Sequence, residues 1–206
     1  MNKGKFIVFE GLDGSGTSTQ SQLLQNAFVT DGKKVHLTCE PSPGPIGNMI
    51  RQAMQGRILF SKQDDKFDQQ MAYLFAADRY DHLNNSIDGI LKLVEDGFYV
   101  ISTRYFFSSF AYHVTDSESS QLVRRLNSDF PNPDLLIYLD NPVESSIQRL
   151  NSRTVLDRYE QENKLRLVSD NYQKILSEYT GEKLVISAIK SKESIHAEII
   201  KKVNSI

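Results

Sequence analysis

The sequence predicts an α/β domain in which a parallel sheet of five strands is covered by helices on both faces. Short apolar runs of strand length alternate with segments of helical periodicity along the 206 residues, and this alternation is typical of a parallel sheet. The length suits one domain, and no repeat, low-complexity tract or interdomain linker divides the chain. We therefore predict a single domain over residues 1–206.

Five apolar runs are the predicted strands: Phe6–Phe9, Val35–Cys39, Phe98–Ile101, Leu135–Leu139 and Leu184–Ser187. Helices are predicted from Ser18 to a stop at Gly32, over Ile46–Met54, from Asp64 onward, in a segment carrying Ile87, Ile90 and Val94, over Ser117–Asp129, from Pro142 to about Leu150, over Lys164–Tyr179, and in a C-terminal segment with Ile195, Ile199 and Val203. In a parallel sheet, ligands bind at the carboxyl ends of the strands. The loops after residues 10, 39, 102 and 140 are therefore expected to share one rim.

The stretch KFIVFEGLDGSGTSTQ, residues 5–20, has the strand, glycine-rich turn and helix of a phosphate-binding loop. Gly11, Gly16, Thr17 and Ser18 fit the frame G-x-x-x-x-G-K-[ST], with Thr17 at the position of the Lys. Glycines let backbone N–H groups close around phosphate oxygens, and the helix N-terminus favours the negative charge. The alternative is a glycine-rich turn without a ligand, but the flanking strand and helix, with Ser18 in register, favour the phosphate loop.

Composition restricts the class of partner. Hydrophobic residues make up 39% and charged residues 24% of the chain, as in an ordinary globular protein with a core. The net charge of −2 creates no basic field, so we expect neither nucleic acid nor a membrane as a partner.

The single cysteine, Cys39, fits a reducing compartment, and the sequence shows no signal peptide, so a cytoplasmic location is expected. The four histidines show no zinc-binding spacing, and no structural zinc is expected.

Three further groups each admit two interpretations. Phe75 and Arg79 share one helix face, where they could stack on a base and donate to its edge, or be a core aromatic and a solvated charge. Arg104 follows the third strand and could bind a phosphate or form a surface ion pair. The charged run over residues 149–162 could be a flap that closes over phosphates, or a solvated helix face.

The motifs, taken together, resemble those of the thymidylate kinases over nearly the whole chain. They are FEGLDGSG at residues 9–16, EP at 40–41, LFAADR at 74–79, RY..SS.AY at 104–112, LIYLDNPVE at 136–144 and LDRYE at 156–160. The resemblance implies the P-loop nucleoside monophosphate kinase fold and a homodimer. It also implies Mg²⁺-dependent transfer of the γ-phosphoryl group of ATP to dTMP, which gives dTDP and ADP.

The resemblance further implies a phosphate loop at residues 10–19, a monophosphate-binding region at about 40–80 and a flap at about 149–162. ATP would contact Gly11, Gly14, Ser15, Gly16, Thr17, Ser18 and Thr19, and Ser18 would also hold the metal ion. The catalytic arginines would be Arg104, Arg149 and Arg153.

On the acceptor side, the resemblance implies that Asp13 accepts from the sugar 3′-hydroxyl and that Arg104, with Arg51, binds the phosphate. Phe75 would stack on thymine and Arg79 would donate to its O4. Cytosine carries an amino donor at that position, so such an Arg would reject it. Ser108 and Tyr112 would line the base and the sugar, with Tyr112 crowding a 2′-hydroxyl.

Four positions depart from the family pattern: Thr17 replaces Lys, Thr103 replaces Asp, Cys39 replaces Arg and His113 replaces Gln. The family Lys neutralises charge on the β- and γ-phosphates, which a threonine hydroxyl does not. Two alternatives to a dTMP kinase therefore stay open. One is a non-catalytic nucleotide-binding relic, and the other is a kinase for a different deoxynucleoside monophosphate, which His113 suggests. The retained acceptor pocket and flap arginines favour the dTMP kinase.

Overall fold

The computed structural model describes residues 3–58, 60, 63–150 and 162–206, and in them it shows an α/β fold around a five-stranded sheet. The strands are β1 Lys5–Gly11, β2 Val35–Cys39, β3 Tyr99–Thr103, β4 Leu135–Asp140 and β5 Lys183–Ser187. They lie in the order β2-β3-β1-β4-β5, and each neighbouring pair is parallel. The predicted parallel sheet is confirmed.

The helices lie between the strands and after the last one. In the described residues they are α1 Thr17–Thr30, α2 Pro45–Met54, α3 Asp64–Asn84, α4 Ile90–Glu95, α5 Phe106–His113, α6 Ser117–Asn127, α7 Val143–Leu150, α8 Glu162–Glu178 and α9 Lys192–Val203. None of these helices is long and apolar enough to span a membrane.

The side chains of β1 alternate between two cores, one on each face of the sheet. Phe6 and Val8 pack with buried residues of α3, α4, α5 and α8, whereas Ile7 and Phe9 pack with buried residues of α1 and α9. A strand buried on both faces reads as a continuous apolar run, which explains why the sequence shows no alternation here.

Two predictions of helices need correction. The predicted helix with Ile87 begins only at Ile90, because the Asn85 side-chain oxygen accepts from the amides of Ile87 at 3.0 Å and Asp88 at 2.8 Å and forms a turn there. Helix α5 was not predicted, because Phe106–His113 has only eight residues, fewer than the window over which a helical period is recognised. The other predicted boundaries agree with the structure to within two residues.

The register of the sheet brings the predicted loops together. Phe9 of β1 and Cys39 of β2 both pair with Thr103 of β3, and Gly11 pairs with Leu139 of β4. The carboxyl ends of four strands therefore meet at one rim, where parallel α/β sheets bind ligands.

Candidate active site

The phosphate loop lies between β1 and α1 at this rim. Gly16, the N-cap of α1, has φ 100° and brings no side-chain cap to the helix. Among the described residues, no N-cap side chain occupies the first amides of α1, so these amides can bind an anion. Gly11 lies close to the neighbouring strand, since a Cβ atom built on it would be 2.8 Å from the Leu139 carbonyl oxygen.

A cavity of about 560 Å³ opens beside this loop. It is lined by Asp13, Gly14, Gly16, Thr17, Ser18, Thr19, Thr103, Arg104 and Arg149. The cations in this lining are arginines from α7 and from the segment after β3, while α1 contributes hydroxyls. Ser15 is buried beneath the loop and does not belong to the lining.

Arg149, in the last turn of α7, contacts the loop directly. Its Nη1 donates to the carbonyl oxygen of Gly14 at 2.8 Å. A Cβ atom built on Gly14 would lie 3.5 Å from the Cβ of Arg149. Helix α7 thus delivers a guanidinium to the edge of the phosphate cavity. Arg153 and the rest of the predicted flap up to residue 161 lie outside the described residues.

Arg104 follows β3 in a left-handed backbone conformation with φ 75°. The Ser102 hydroxyl donates to its carbonyl oxygen at 2.8 Å, and its amide donates to Phe9 O at 2.8 Å. These bonds hold a conformation that non-glycine residues rarely adopt, which is typical of functional sites. The side chain turns toward the phosphate loop, where it donates to Gly11 O and, at 2.7 Å, to Asp13 Oδ1.

Asp13 joins the loop to α5. Its Oδ1 accepts from Arg104, and its Oδ2 accepts from the Tyr112 hydroxyl at 2.8 Å. Ser108, one turn before Tyr112, lies 3.4 Å from Arg104 Nη1. The structure therefore brings together Asp13, Arg104, Ser108 and Tyr112, four residues to which the family resemblance gives roles on the acceptor side.

Glu10 lies beneath this group and has no exposure to solvent. Its carboxylate accepts from the Tyr105 amide at 2.8 Å and from the hydroxyls of Ser108 and Tyr172, each at 2.7 Å. Burial raises the pKa of Glu10, and the charge of Arg104 together with these hydrogen bonds opposes the rise.

Phe75 and His113 form an aromatic wall between α3 and α5. Their ring centroids lie 5.3 Å apart with the planes at 43°. Burial, together with the charges of Lys164 and Arg79, lowers the pKa of His113 to about 3, so the imidazole is neutral at pH 7. A neutral imidazole carries one donor and one acceptor, which are the groups that read a base edge.

Arg79 is fully buried, and protein groups surround its guanidinium. It donates twice to Glu40 Oε2, at 2.9 and 2.6 Å, once to Asn127 Oδ1 at 2.6 Å and once to Ser109 Oγ at 3.3 Å. In this structure Arg79 holds the segment after β2 on α3. Its predicted contact with thymine O4 stays a prediction.

The same segment is braced by two more side chains. Asp78 accepts from the Ser42 amide at 2.7 Å and from the Ser42 hydroxyl at 2.6 Å. Arg51 donates to the carbonyl oxygens of Pro41 and Ser42, both at 2.7 Å. The proline-rich loop is therefore tied to α2 and α3, and the predicted contact of Arg51 with a phosphate stays a prediction.

Glu10 and Tyr172 were not recognised as site residues from the sequence. Glu10 could have been noticed, because a carboxylate that directly follows four apolar residues of a doubly covered strand needs buried partners. Tyr172 lies on the inner face of α8 with Leu165, Val168 and Leu176, where its apolar ring gives no sign of the role of its hydroxyl.

The described residues offer a metal ion few protein ligands. They contain no cluster of three or more His, Cys, Asp or Glu side chains suited to a metal. The exposed Ser18 at the start of α1 supplies a hydroxyl to the phosphate cavity. This fits Mg²⁺, which usually keeps several waters and takes its remaining oxygens from substrate phosphates.

Comparisons with known proteins agree with this geometry. The sequence model of the family "Thymidylate kinase" matches residues 9–199. A probable thymidylate kinase of Pyrococcus horikoshii is 37% identical over 199 residues, which are 96% of this chain and 95% of the relative. One of Thermococcus kodakarensis is 38% identical over 201 residues, which are 95% of each chain.

The solved structures support the same fold. A thymidylate kinase from Candida albicans superposes with a TM-score of 0.77 at 23% identity, covering 98% of this chain and 92% of that chain. At that identity the match shows the fold, and the family follows from the sequence comparisons. This chain belongs to the thymidylate kinase family.

Proposed function

We propose that this protein is a thymidylate kinase that transfers the γ-phosphoryl group of ATP to dTMP and releases dTDP and ADP. One observation carries the proposal: the carboxylate of Asp13, at 2.7 Å from Arg104 and 2.8 Å from Tyr112, joins the phosphate loop to the acceptor residues. Because one residue belongs to both sites, the donor and acceptor sites are adjacent. The γ-phosphate of ATP and the phosphate of the acceptor would then lie beside each other, and this positioning is the main requirement of phosphoryl transfer.

The donor side is built from the phosphate loop. The amides at the start of α1 bind phosphate oxygens, and Arg149 adds positive charge at Gly14. Ser18 would hold Mg²⁺, which when bound neutralises charge on the β- and γ-phosphates. Arg153, which lies outside the described residues, is proposed as a second arginine from the segment after α7.

The acceptor side is built from α3, α5 and the segment after β3. Phe75 stacks on the thymine, and Asp13 accepts from the 3′-hydroxyl of the sugar. Arg104 binds the phosphate, and Tyr112 fills the space that a ribonucleotide would need for its 2′-hydroxyl. Each of these groups is already held by neighbouring residues, so little ordering remains to be done when the substrate binds.

Thr17 stands at the position of the phosphate-loop Lys, so the first turn of α1 brings no positive charge to the cavity. Phosphoryl transfer needs charge neutralisation around the transferred group, and this charge has more than one possible source. Arg104 and Arg149 line the same cavity as Thr17 and Thr103. We infer that these arginines carry the role that a loop lysine would fill.

A second possible function is that of a kinase for a different deoxynucleoside monophosphate, and it depends on which base the acceptor site prefers. The ring centroid of His113 lies 5.3 Å from that of Phe75, and its imidazole is neutral at pH 7. Relative rates with dTMP, dUMP, dCMP and dGMP test whether thymine is the preferred base. If another monophosphate is phosphorylated faster than dTMP, that monophosphate would be the acceptor in place of dTMP.

The non-catalytic alternative rests on Thr17 and Thr103, which leave the cavity without a loop lysine or a carboxylate at the end of β3. It predicts dTMP binding in calorimetry without ADP formation. ATP-dependent dTDP formation, measured at high enzyme concentration with saturating Mg²⁺, separates the two functions directly.

We further propose a cytoplasmic homodimer that associates through α3. Tyr73 and Tyr80, one heptad apart on this helix, are 52% and 66% exposed, which is high for large aromatic side chains. Sedimentation of the protein with Tyr80→Glu tests the interface, because a charge at its centre should give a monomer where the unchanged chain gives a dimer.

A further inference from the structure

Tyr172 of α8 reaches the site from beneath, although it belongs to no predicted ligand contact. Its side chain is 1% exposed. Its Oη lies 2.7 Å from Glu10 Oε2, 2.9 Å from Arg104 Nη1 and 3.1 Å from Ser108 Oγ. A phenol has one hydrogen and two lone pairs, so it donates to the carboxylate while it accepts from the guanidinium.

We propose that Tyr172 is a positioning residue for Arg104, which holds the guanidinium in the orientation that receives the acceptor phosphate. The identity of that ligand rests on the proposed function. The orientation of Arg104 is a property of the protein alone and is tested separately below.

The hydrogen bonds of Arg104 show which part of the guanidinium is held. Of its five N–H groups, the two on Nη1 are directed to Gly11 O and Tyr172 Oη, and one on Nη2 is directed to Asp13. Nε–H and the second Nη2–H have no hydrogen-bond partner among the residues that the structure describes. Two N–H groups on adjacent nitrogens form the fork that binds a phosphate in bidentate fashion.

Glu10 acts on Arg104 through Tyr172. The shortest distance between the two charged groups is 3.8 Å, from Arg104 Nη1 to Glu10 Oε2, which is too long for a hydrogen bond. The Tyr172 hydroxyl bridges this gap with two bonds of 2.7 and 2.9 Å. Without the hydroxyl, the buried carboxylate still attracts the arginine but no longer fixes its orientation.

Tyr172 is itself held in place from two sides. The preceding residue, Asn171, donates to the carbonyl oxygens of Ala111 and Val114, at 2.9 and 3.0 Å, and so fixes α8 against the end of α5. The Tyr172 ring packs against Tyr138, with the centroids 5.1 Å apart. The hydroxyl therefore has little freedom to move away from Arg104.

The first test is steady-state kinetics of the full-length chain with Tyr172→Phe. The matched control is Tyr105→Phe, which also removes a buried phenol hydroxyl, one that donates to Pro131 O at 3.0 Å and is not hydrogen-bonded to Arg104. Loss of a hydrogen bond to a charged group should raise the KM for dTMP roughly tenfold in Tyr172→Phe. The KM for ATP should rise less than the KM for dTMP, since Arg149 remains in place beside the phosphate loop, and the control should match the wild type. A KM for dTMP within twofold of the wild-type value, or an equal rise in the control, would overturn the proposal.

The second test needs no substrate. The side-chain Nε–H signal of Arg104 in ¹H–¹⁵N spectra of the ligand-free protein is assigned by its loss in Arg104→Lys. Tyr172→Phe should shift and broaden this signal, whereas Tyr105→Phe should leave it in place. An unchanged signal in Tyr172→Phe contradicts the positioning role. A wild type that fails to phosphorylate dTMP contradicts the proposed function instead, and the spectra still decide the role of Tyr172.

Discussion

Arg79 and Glu40 form an ion pair that is sealed from solvent, with Nε and Nη2 of the arginine at 2.9 and 2.6 Å from the same carboxylate oxygen. Removing one charge of such a pair leaves the other buried without compensation. We therefore expect Glu40→Gln to lower the free energy of unfolding by about 3 kcal/mol, as measured by urea denaturation.

The matched control for Glu40→Gln is Asp96→Asn, which removes one charge from the exposed pair of Lys92 and Asp96 at 2.9 Å. Exposed pairs of this kind contribute less than about 1 kcal/mol. Equal effects of the two substitutions would show that the buried pair does not hold the segment after β2 on α3.

Gly16 has φ 100° at the start of α1, and Gly32 has φ 71° after its end. A Cβ atom at either position would meet no heavy atom within 4 Å, so alanine adds backbone strain alone, about 1 kcal/mol in each case. Both variants should lose similar stability. Only Gly16→Ala should also raise the KM for ATP, because it alters the amides that face the phosphates; an equal KM in both variants would remove Gly16 from the ATP site.

The sequence predicted the rim of the sheet well because its signals are local. Strand, turn and helix of the phosphate loop follow one another within 16 residues, and the spacing of Phe75 and Arg79 places both on one helix face. The partners of these side chains were not predictable in the same way. Arg79 pairs with Glu40 across 39 positions, and Tyr172 donates to Glu10 across 162 positions. Such pairs form only when distant elements pack together.

His113 should make stability depend on pH. Burial lowers its pKa to about 3 in the folded chain, compared with about 6.5 for an unperturbed histidine. Below pH 6.5 the unfolded chain binds a proton that the folded chain does not, so stability falls as the pH falls. Relative to His113→Gln, the wild type should lose about 2 kcal/mol between pH 7 and pH 5. Parallel urea-unfolding curves at both pH values measure the difference, and identical pH dependence of the two proteins would contradict the buried neutral imidazole.

Arg149 should contribute to turnover through the phosphate loop, since its Nη1 lies 2.8 Å from Gly14 O. Arg149→Ala is expected to reduce kcat about a hundredfold, as the loss of one group that stabilises transition-state charge commonly does. Arg124→Ala serves as the control, because Arg124 is exposed and lies 3.5 Å from Glu178, away from the loop. If both variants turn over like the wild type, the charge at the phosphates comes from elsewhere.

The central claim is that this chain phosphorylates dTMP without a lysine in its phosphate loop. The most direct measurement is a coupled ADP-release assay with ATP, Mg²⁺ and dTMP, run on the wild type, Arg104→Ala and Thr17→Lys. We predict turnover by the wild type that is lost in Arg104→Ala. A wild type that binds dTMP but releases no ADP, with activity restored by Thr17→Lys, would contradict the claim and identify the chain as a nucleotide-binding relic of the family.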